Sequence, residues 1–533
     1  MSGAKLWQHS KTRDGLMFYR PAILDFRFRR ADLSAGLTVA IVALPLSMAI
    51  AIASGVGPDR GLVTAIVGGF LVSAMGGTRH QIGGPAGAFI VLVSACVAAI
   101  GVQGLILATM MSGVMLALLG LFRMGGTIRY VPYPVILGFT AAIGVIILTS
   151  QMKDLFGLQL PGAEPGPLIE KIPALLAVRD TVSGASLAIA ALTIATILGC
   201  QRWAPRLPSL LIAVAVATLA GLALPVETVA DRFGALPVGL PMPELPVLGT
   251  DAMRAALPFA ISFTLLGAIE SLLSGMVADQ MAGTRMRADD ELIGQGIANI
   301  GAGLFGGFCT TGTIARTATN VRAGSSGPGS GIIHAAILLV TLMVAAPLAG
   351  AIPLAGLAGL LTVVAWNMVE VHAITALARI SRGDAITMAV TFLVTIFRDV
   401  TEGIIIGMAL GGAVFIARMA QLSEAVPGEG FNTRDPDVVT CHLNGPVFFG
   451  SVARMESLLH RIVARPRLVV LDMAGVTFLD TTGAQMIADF GRRLSQRQTA
   501  LVITGARPRI RAMLNDDLAF ADTPDKARAM TGL

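Results

Sequence analysis

Arg316 is the residue with the most chemistry to explain, because it stands in the middle of an apolar chain. Its surroundings, GGFCTTGTIARTATNVRAG (residues 306–324), break the rules for a membrane-spanning helix. Glycines and hydroxyl side chains crowd residues 306–313, and helical residues begin around Ala315, which puts Arg316 in the first turn. Inside hydrocarbon, non-helical backbone must be buried in protein or line a wet cavity. A helix that starts there points free N–H groups and its positive dipole end at whatever fills the cavity. With an arginine beside it, that occupant is an anion. A second stretch, GGTRHQIGGPAGAFIVLVSA (residues 76–95), repeats the design, with an extended polar lead, then Pro85 and a short helix. Two broken helices in corresponding halves of a membrane chain mark a transporter's substrate site. The candidate anion-binding residues are Gly84, Pro85, Ala86, Gly87, Ala88 and Phe89 from the first break. Thr311, Gly312, Thr313, Ile314, Ala315 and Arg316 come from the second. Ser47, Thr311 and Thr313 offer hydroxyl donors, although hydroxyls in membrane helices often bond their own backbone instead. Phe89 either lines the pocket or packs as core.

Glu270 is the only carboxylate in the apolar run 255–277. An intramembrane carboxylate is costly and by default functional. Burial among apolar neighbours disfavours its charge, so Glu270 is the candidate proton-coupling group, with a structural partnership as the alternative reading. Asp279, Asp289, Asp290 and Glu291 fall in a polar turn and are expected to be solvated. Cys96, Cys200, Cys309 and Cys441 have no metal-like spacing, and the six histidines are dispersed, so no metal or cofactor is expected. No paired carboxylates or nucleophile–base set appears, which argues against an enzyme.

The elements that position these residues are apolar segments. The chain has 533 residues, 54% hydrophobic and 14% charged, with a mean hydropathy of +0.75. Those values exclude an ordinary soluble protein. Between residues 33 and 420 about fourteen apolar segments occur, several near the ~20 residues needed to span a bilayer. They centre near residues 43, 69, 94, 112, 141, 191, 216, 264, 296, 318, 340, 362, 391 and 410. The third and tenth are the broken ones, so the chain divides into seven plus seven segments. An odd repeat inverts its second copy, and the two breaks then meet near the midplane. The pI is about 9.5, but the basic residues sit at segment ends rather than in a nucleic-acid patch. Lys5, Lys11, Arg13, Arg20, Arg27, Arg29 and Arg30 place the N-terminal segment (residues 1–32) in the cytoplasm. Arg123, Arg129, Arg202, Arg206, Arg285, Arg287, Arg379 and Arg382 mark inner loops, and the predicted outer loop 227–244 holds one basic residue, Arg232. An even count returns the C-terminus to the cytoplasm. Residues 421–437 read as a polar linker. Residues 438–533 alternate strand and amphipathic helix, as in a small soluble α/β domain, with helices near 452–463, from 482 and near 508–514.

Three separated motifs resemble those of the sulfate permease (SulP) anion-transporter family. They are DLSAGLTVAIVALPLSMAIAIASGVGP (residues 32–58), ELIGQGIANIGAGLFGG with the following TGTIARTATNVRAG (residues 291–324), and VVLDMAGVTFLDTTGAQMI (residues 469–487). The last is similar to the core of a STAS domain, the anti-sigma-antagonist-like module such proteins carry. The resemblance implies an inverted seven-plus-seven fold, a core domain moving against a gate domain, and a homodimer in the inner (cytoplasmic) membrane. LGAIESLLSGMVADQMAGTR and ALPLSMAIA look most like bacterial members that carry C4-dicarboxylates such as fumarate or succinate. Other members carry sulfate, bicarbonate or halides. Leu46 stands where many members have glutamine and Ala315 where many have serine, which leaves a site made mainly of backbone and Arg316. Thr482, in Asp480-Thr481-Thr482-Gly483, matches the site where soluble STAS proteins are phosphorylated, but hydroxyls there also cap helices, the favoured reading. The resulting expectation is a proton-coupled anion transporter working by alternating access, with its STAS domain free to bind a cytoplasmic regulatory protein. An uncoupled exchanger or channel is the alternative, and a membrane receptor signalling through the STAS domain is a remote one.

Overall fold

The computed structural model describes residues 19–25, 29–126, 131–162, 165, 168–205, 207–246, 248–428, 437–452, 466–514 and 517–530. Lys5, Lys11, Arg13, Arg27, Arg129 and Arg206, counted in the charge pattern, lie outside these residues, as do most of the expected helix near 452–463 and residues 429–436 of the linker. The chain forms two compact units, Met1–Gly407 and Met408–Leu533.

Every one of the fourteen apolar segments appears as helix in the first unit or at its end. They are α1 (Arg30–Ala53), α2 (Pro58–Val63) continuing through a π turn at Thr64–Gly68 into α3 (Gly69–Met75), and α4 (Ile90–Leu121). Then come α5 (Tyr133–Phe156), the short α6 (Leu168–Ala177), α7 (Gly184–Trp203), α8 (Ser209–Gly221), the short α9 (Val229–Phe233), α10 (Thr250–Ala282) and α11 (Ala288–Leu304). The last are α12 (Ile314–Arg322), α13 (Gly329–Gly350), α14 (Leu354–Met368), the short α15 (Val371–Ile380), α16 (Arg382–Phe397) and α17 (Val400–Gln421). Among the described residues eight helices are long and apolar enough to span a bilayer. The segments expected at 94 and 112 share α4, and Gly101 separates them with φ 70° and ψ −177°. That backbone region is essentially glycine's own, so the sequence breaks the helix where its side chain disappears.

The helices fall into two packed groups. One joins α1, α3, α4, α10, α11, α12 and α13, and the other joins α5, α7, α8, α14 and α16. Apolar attraction does not hold helices together in lipid, so close backbone approach must do it, and small residues allow that. At the α4–α11 crossing a methyl on Gly113 would lie 2.7 Å from the Gly296 carbonyl. Only glycine fits there.

The first unit holds two short strands, β1 (Gly83–Gly84) and β2 (Thr311–Gly312), and the second carries a five-stranded sheet of β3 (Glu424–Pro427), β4 (Val438–Val447), β5 (Leu468–Leu479), β6 (Ala500–Thr504) and β7 (Ala519–Ala521) in sequential order. β3 runs antiparallel to β4 and the other neighbours are parallel. β3 lies inside the stretch read as linker, because its alternation is too short to register in the sequence. Helix α18 (Thr481–Gln496) lays Met486, Ile487, Phe490 and Leu494 on the sheet, a 3.6-residue stripe over Val469, Leu471 and Ile503. Short helices at Pro508–Arg511 and Pro524–Met530 complete the unit.

Candidate functional site

The two broken stretches meet. Gly83–Gly84 forms a strand pair with Thr311–Gly312, antiparallel, with Gly83 opposite Gly312 and Gly84 opposite Thr311. The Ile82 carbonyl accepts from the Thr313 N–H at 3.0 Å, and the Ile82 N–H donates to Thr317 Oγ1 at 3.1 Å. Each strand hands over to a helix start. Ala86 is extended and precedes a tight turn at Gly87–Phe89 that opens α4, and Thr313 is extended and opens α12. The first N–H groups of a helix have no acceptor within it, so two positive helix ends converge on one place.

Arg316 lies between them, 2% exposed. Its Nη2 donates to the Pro85 carbonyl, while Nε and Nη1 have no partner among the described residues. A fork with two idle buried donors is a ready seat for a carboxylate or other oxyanion. Gly84 has φ 151°, and a methyl there would run into this guanidinium, so glycine is required twice over. Glu270, on α10, is half-buried, with Oε2 enclosed and unpartnered. Its charge and that of Arg316 act on each other, but no ion pair joins them among the described residues.

The other predicted residues divide. Thr313 Oγ1 donates to the Ile82 carbonyl at 3.2 Å and Thr311 Oγ1 to the Gly267 carbonyl at 3.4 Å, so both hydroxyls serve the fold. Ser47 is fully buried with an unpartnered hydroxyl, and no hydrogen bond brings it to Arg316. Phe89 packs against Phe263 with ring centroids 6.0 Å apart. Ala86 and Ala88 are buried, whereas Ile314 and Ala315 are exposed. Gly87 faces the other helix group: a methyl there would meet Met368 Sδ at 3.6 Å and Ile147 Cδ1 at 3.8 Å.

The expectation that Glu291 is solvated is wrong. Glu291 is 0% exposed. Its Oε2 accepts from the N–H groups of Gly77 and Thr78, both at 2.9 Å, and its Oε1 from Gln81 Nε2 at 2.8 Å and Ser271 Oγ at 2.9 Å. The non-helical lead of the first break exposes N–H groups inside the protein, and a carboxylate must satisfy them. Asp279 and Asp289 are tied down too, by the N–H groups of Met286 and Gly125, and Asp290 pairs with Arg287. Sequence reasoning missed the stripe to which Glu291 belongs. Gln295 Nε2 donates to the Thr310 carbonyl, and Asn299 Oδ1 accepts from the Thr310 N–H at 2.8 Å. Glu291, Gln295 and Asn299 follow one another at four-residue steps on α11, a polar row legible in ELIGQGIAN. That row holds the first break at 77–81 and the second at Thr310. Asn320 Nδ2 adds a bond to the His80 carbonyl at 2.8 Å.

In the second unit Asp480, not a threonine, caps α18. Its Oδ1 accepts from the Gly483 N–H at 2.7 Å, and its Oδ2 accepts from the Phe449 N–H at 3.1 Å. Thr481 and Thr482 are exposed, so the expectation of a threonine cap is corrected: the aspartate, already extended and charged, occupies that position.

Two family models account for most of the chain. The sulfate permease family matches residues 30–391 and the STAS domain residues 432–520. The chain belongs to the sulfate permease family. YvdB of Bacillus subtilis (strain 168), named provisionally as a sulfate transporter, is 36% identical over 91% of this chain and 93% of its own. The bicarbonate transporter BicA of Synechocystis is 30% identical over 94% of this chain and 93% of its own. Among solved structures, the transmembrane domain of a cyanobacterial BicA overlays with a TM-score of 0.66 at 31% identity, covering 72% of this chain and 98% of that one. SLC26A9 overlays with a TM-score of 0.82 at 18% identity over 94% and 90% of the two chains, a likeness of fold. The protein is therefore a multi-pass membrane anion transporter and not an enzyme. The names of these relatives speak of sulfate and bicarbonate, and none speaks of dicarboxylates.

Proposed function

We propose that this sulfate permease family member carries a small oxyanion by alternating access, with Arg316 as the fixed charge of the site and Glu270 as a proton-coupling group. The observation that carries the reading is the Arg316 fork. One arm is committed to Pro85, and two nitrogens are buried without partners where two helix N-termini converge. In this reading the N–H groups of Gly87, Ala88, Ile314 and Ala315 supply further donors, with Gly84, Pro85, Ala86, Thr311, Gly312 and Thr313 shaping the backbone around them. The core helices α1, α3, α4 and α10–α13 move the site past the helices α5, α7, α8, α14 and α16. A protonated Glu270 admits the anion and an ionised one repels it, so proton and anion bind cooperatively. The chain works as a homodimer in the cytoplasmic membrane with both termini inside, and the STAS domain supports assembly or regulation.

Sulfate or bicarbonate is the substrate class that the relatives' names favour. A C4-dicarboxylate is the second reading, supported by the apolar side chains of Met368 and Ile147 opposite Gly87, which suit a carbon chain better than a hydration shell. Uptake of labelled sulfate, bicarbonate and fumarate into proteoliposomes, with and without an inward proton gradient, separates these readings. Uptake of one anion driven by the gradient is expected. Uptake that ignores the gradient would make the protein an uncoupled exchanger or channel.

A further inference from the structure

His334 lies on α13, 0% exposed, and among the described residues neither ring nitrogen forms a hydrogen bond of good geometry, the ring having only a weak contact with the Gly331 backbone. A buried polar group left so is costly. Its ring packs at Gly69, where the π turn gives way to α3. A methyl on Gly69 would lie 3.6 Å from His334 Cε1 and 3.0 Å from the Gly83 carbonyl of the first break. The imidazole and the first break thus both crowd the same face of Gly69, and the residue after Gly83, Gly84, leaves no room for a methyl beside the Arg316 guanidinium.

The charges around it are few. Arg316 is the charged side chain whose field reaches the ring, and the Gly331 backbone, one turn earlier, offers it a weak hydrogen bond. Of the elements packed on α13, α3 and the π turn carry no ionisable residue. On α1, Arg30 is exposed and Asp32 is bound to the Ser326 N–H and Oγ, both at 2.7 Å. On α9, Asp231 is held by Thr228, and Arg232 by Glu227 and Asp154.

We propose that His334 is a second proton-binding site, filled only while an anion sits beside Arg316. The inference rests on the proton-coupled reading above. Two positive charges in a low-dielectric interior repel, so His334 stays neutral beside an unoccupied Arg316. A divalent oxyanion reverses the local balance. With Arg316 charged and Glu270 ionised, it leaves two net negative charges in a buried place, and one proton on each of Glu270 and His334 cancels them. Neutral assemblies cross a low-dielectric barrier at least cost. The anion thereby recruits the second proton, and His334 releases it when the anion leaves.

The test is proton uptake on anion binding by the purified full-length protein in weakly buffered detergent solution with an indicator dye, titrated with sulfate and with fumarate. At an alkaline starting pH, where Glu270 is ionised before the anion binds, the expected result is about two protons taken up per anion by the wild type and about one by His334→Asn, with the anion still bound. Glu270→Gln provides the second arm and should keep about one proton, the His334 proton. An His334→Asn protein that takes up as many protons as the wild type overturns the His334 assignment and leaves Glu270 coupling intact. So does a Glu270→Gln protein that takes up none. Anion binding by the wild type with no proton uptake overturns both this inference and the coupled reading beneath it.

Discussion

Arg316 and Pro85, 231 residues apart, are joined by a hydrogen bond from Nη2 to the proline carbonyl. The bond ties the start of α12 to the break that precedes α4. Arg316 therefore holds one broken helix to the other, and in the proposed mechanism it also presents its remaining donors to the anion.

Gly84 makes that geometry possible. Alanine at φ 151° is strained by about 1–3 kcal/mol, and its methyl meets the guanidinium. Gly84→Ala should lower the melting temperature and weaken anion affinity by roughly tenfold or more, since displacing a charge-assisted contact costs on the order of 1.5–3 kcal/mol. Thermal unfolding and anion titration of the purified variant check both effects.

Glu291 predicts a stability effect separate from the chemistry. Its carboxylate accepts from Gly77, Thr78, Gln81 and Ser271. Glutamine has one acceptor oxygen and turns an N–H group toward donors. Glu291→Gln should destabilise by about 1–3 kcal/mol, the cost of leaving buried donors without their charged acceptor. A melting temperature within a degree or two of the wild type would show the network to be dispensable.

Glu270 predicts a pH effect. Glutamine mimics the protonated acid permanently. Glu270→Gln should still bind and exchange anion, but an inward proton gradient should no longer drive accumulation. Liposome uptake with and without an imposed pH difference measures this. A variant as strongly driven as the wild type would make Glu270 structural.

Both broken stretches precede α17, so the proposed anion site draws its residues from the first unit alone. A chain ending after Gln421 should bind anion with affinity within a few-fold of the full chain. A well-folded truncated protein without binding would give the second unit a part in the site.

The fold was largely legible in the sequence because apolar runs of bilayer length have few alternative structures. The broken helices were legible for the same reason, since glycine, proline and hydroxyl runs at 76–95 and 306–324 cannot continue a lipid-exposed helix. Their scaffold was not. Glu291 looked solvated because DDELIGQ reads as a polar turn, and only the fold carries the N–H groups of residues 77 and 78 to it. The hydroxyls of Thr311 and Thr313 could serve ligand or backbone by type alone, and the strand pair decides for backbone. β3 escaped notice because four residues hold too little alternation to distinguish strand from linker.

Arg316 is the group on which the proposed anion site depends most. Its direct test is equilibrium binding and proteoliposome uptake of sulfate, bicarbonate and fumarate by Arg316→Ala and Arg316→Lys beside the wild type, with dimerisation and melting temperature measured on the same preparations. The alanine variant should still assemble but lose binding and uptake by about a hundredfold or more, as expected when a buried charged donor is removed. Lysine should recover only part, because a single ammonium cannot serve Pro85 and an oxyanion as a fork does. An alanine variant that binds and transports like the wild type would contradict the proposed site.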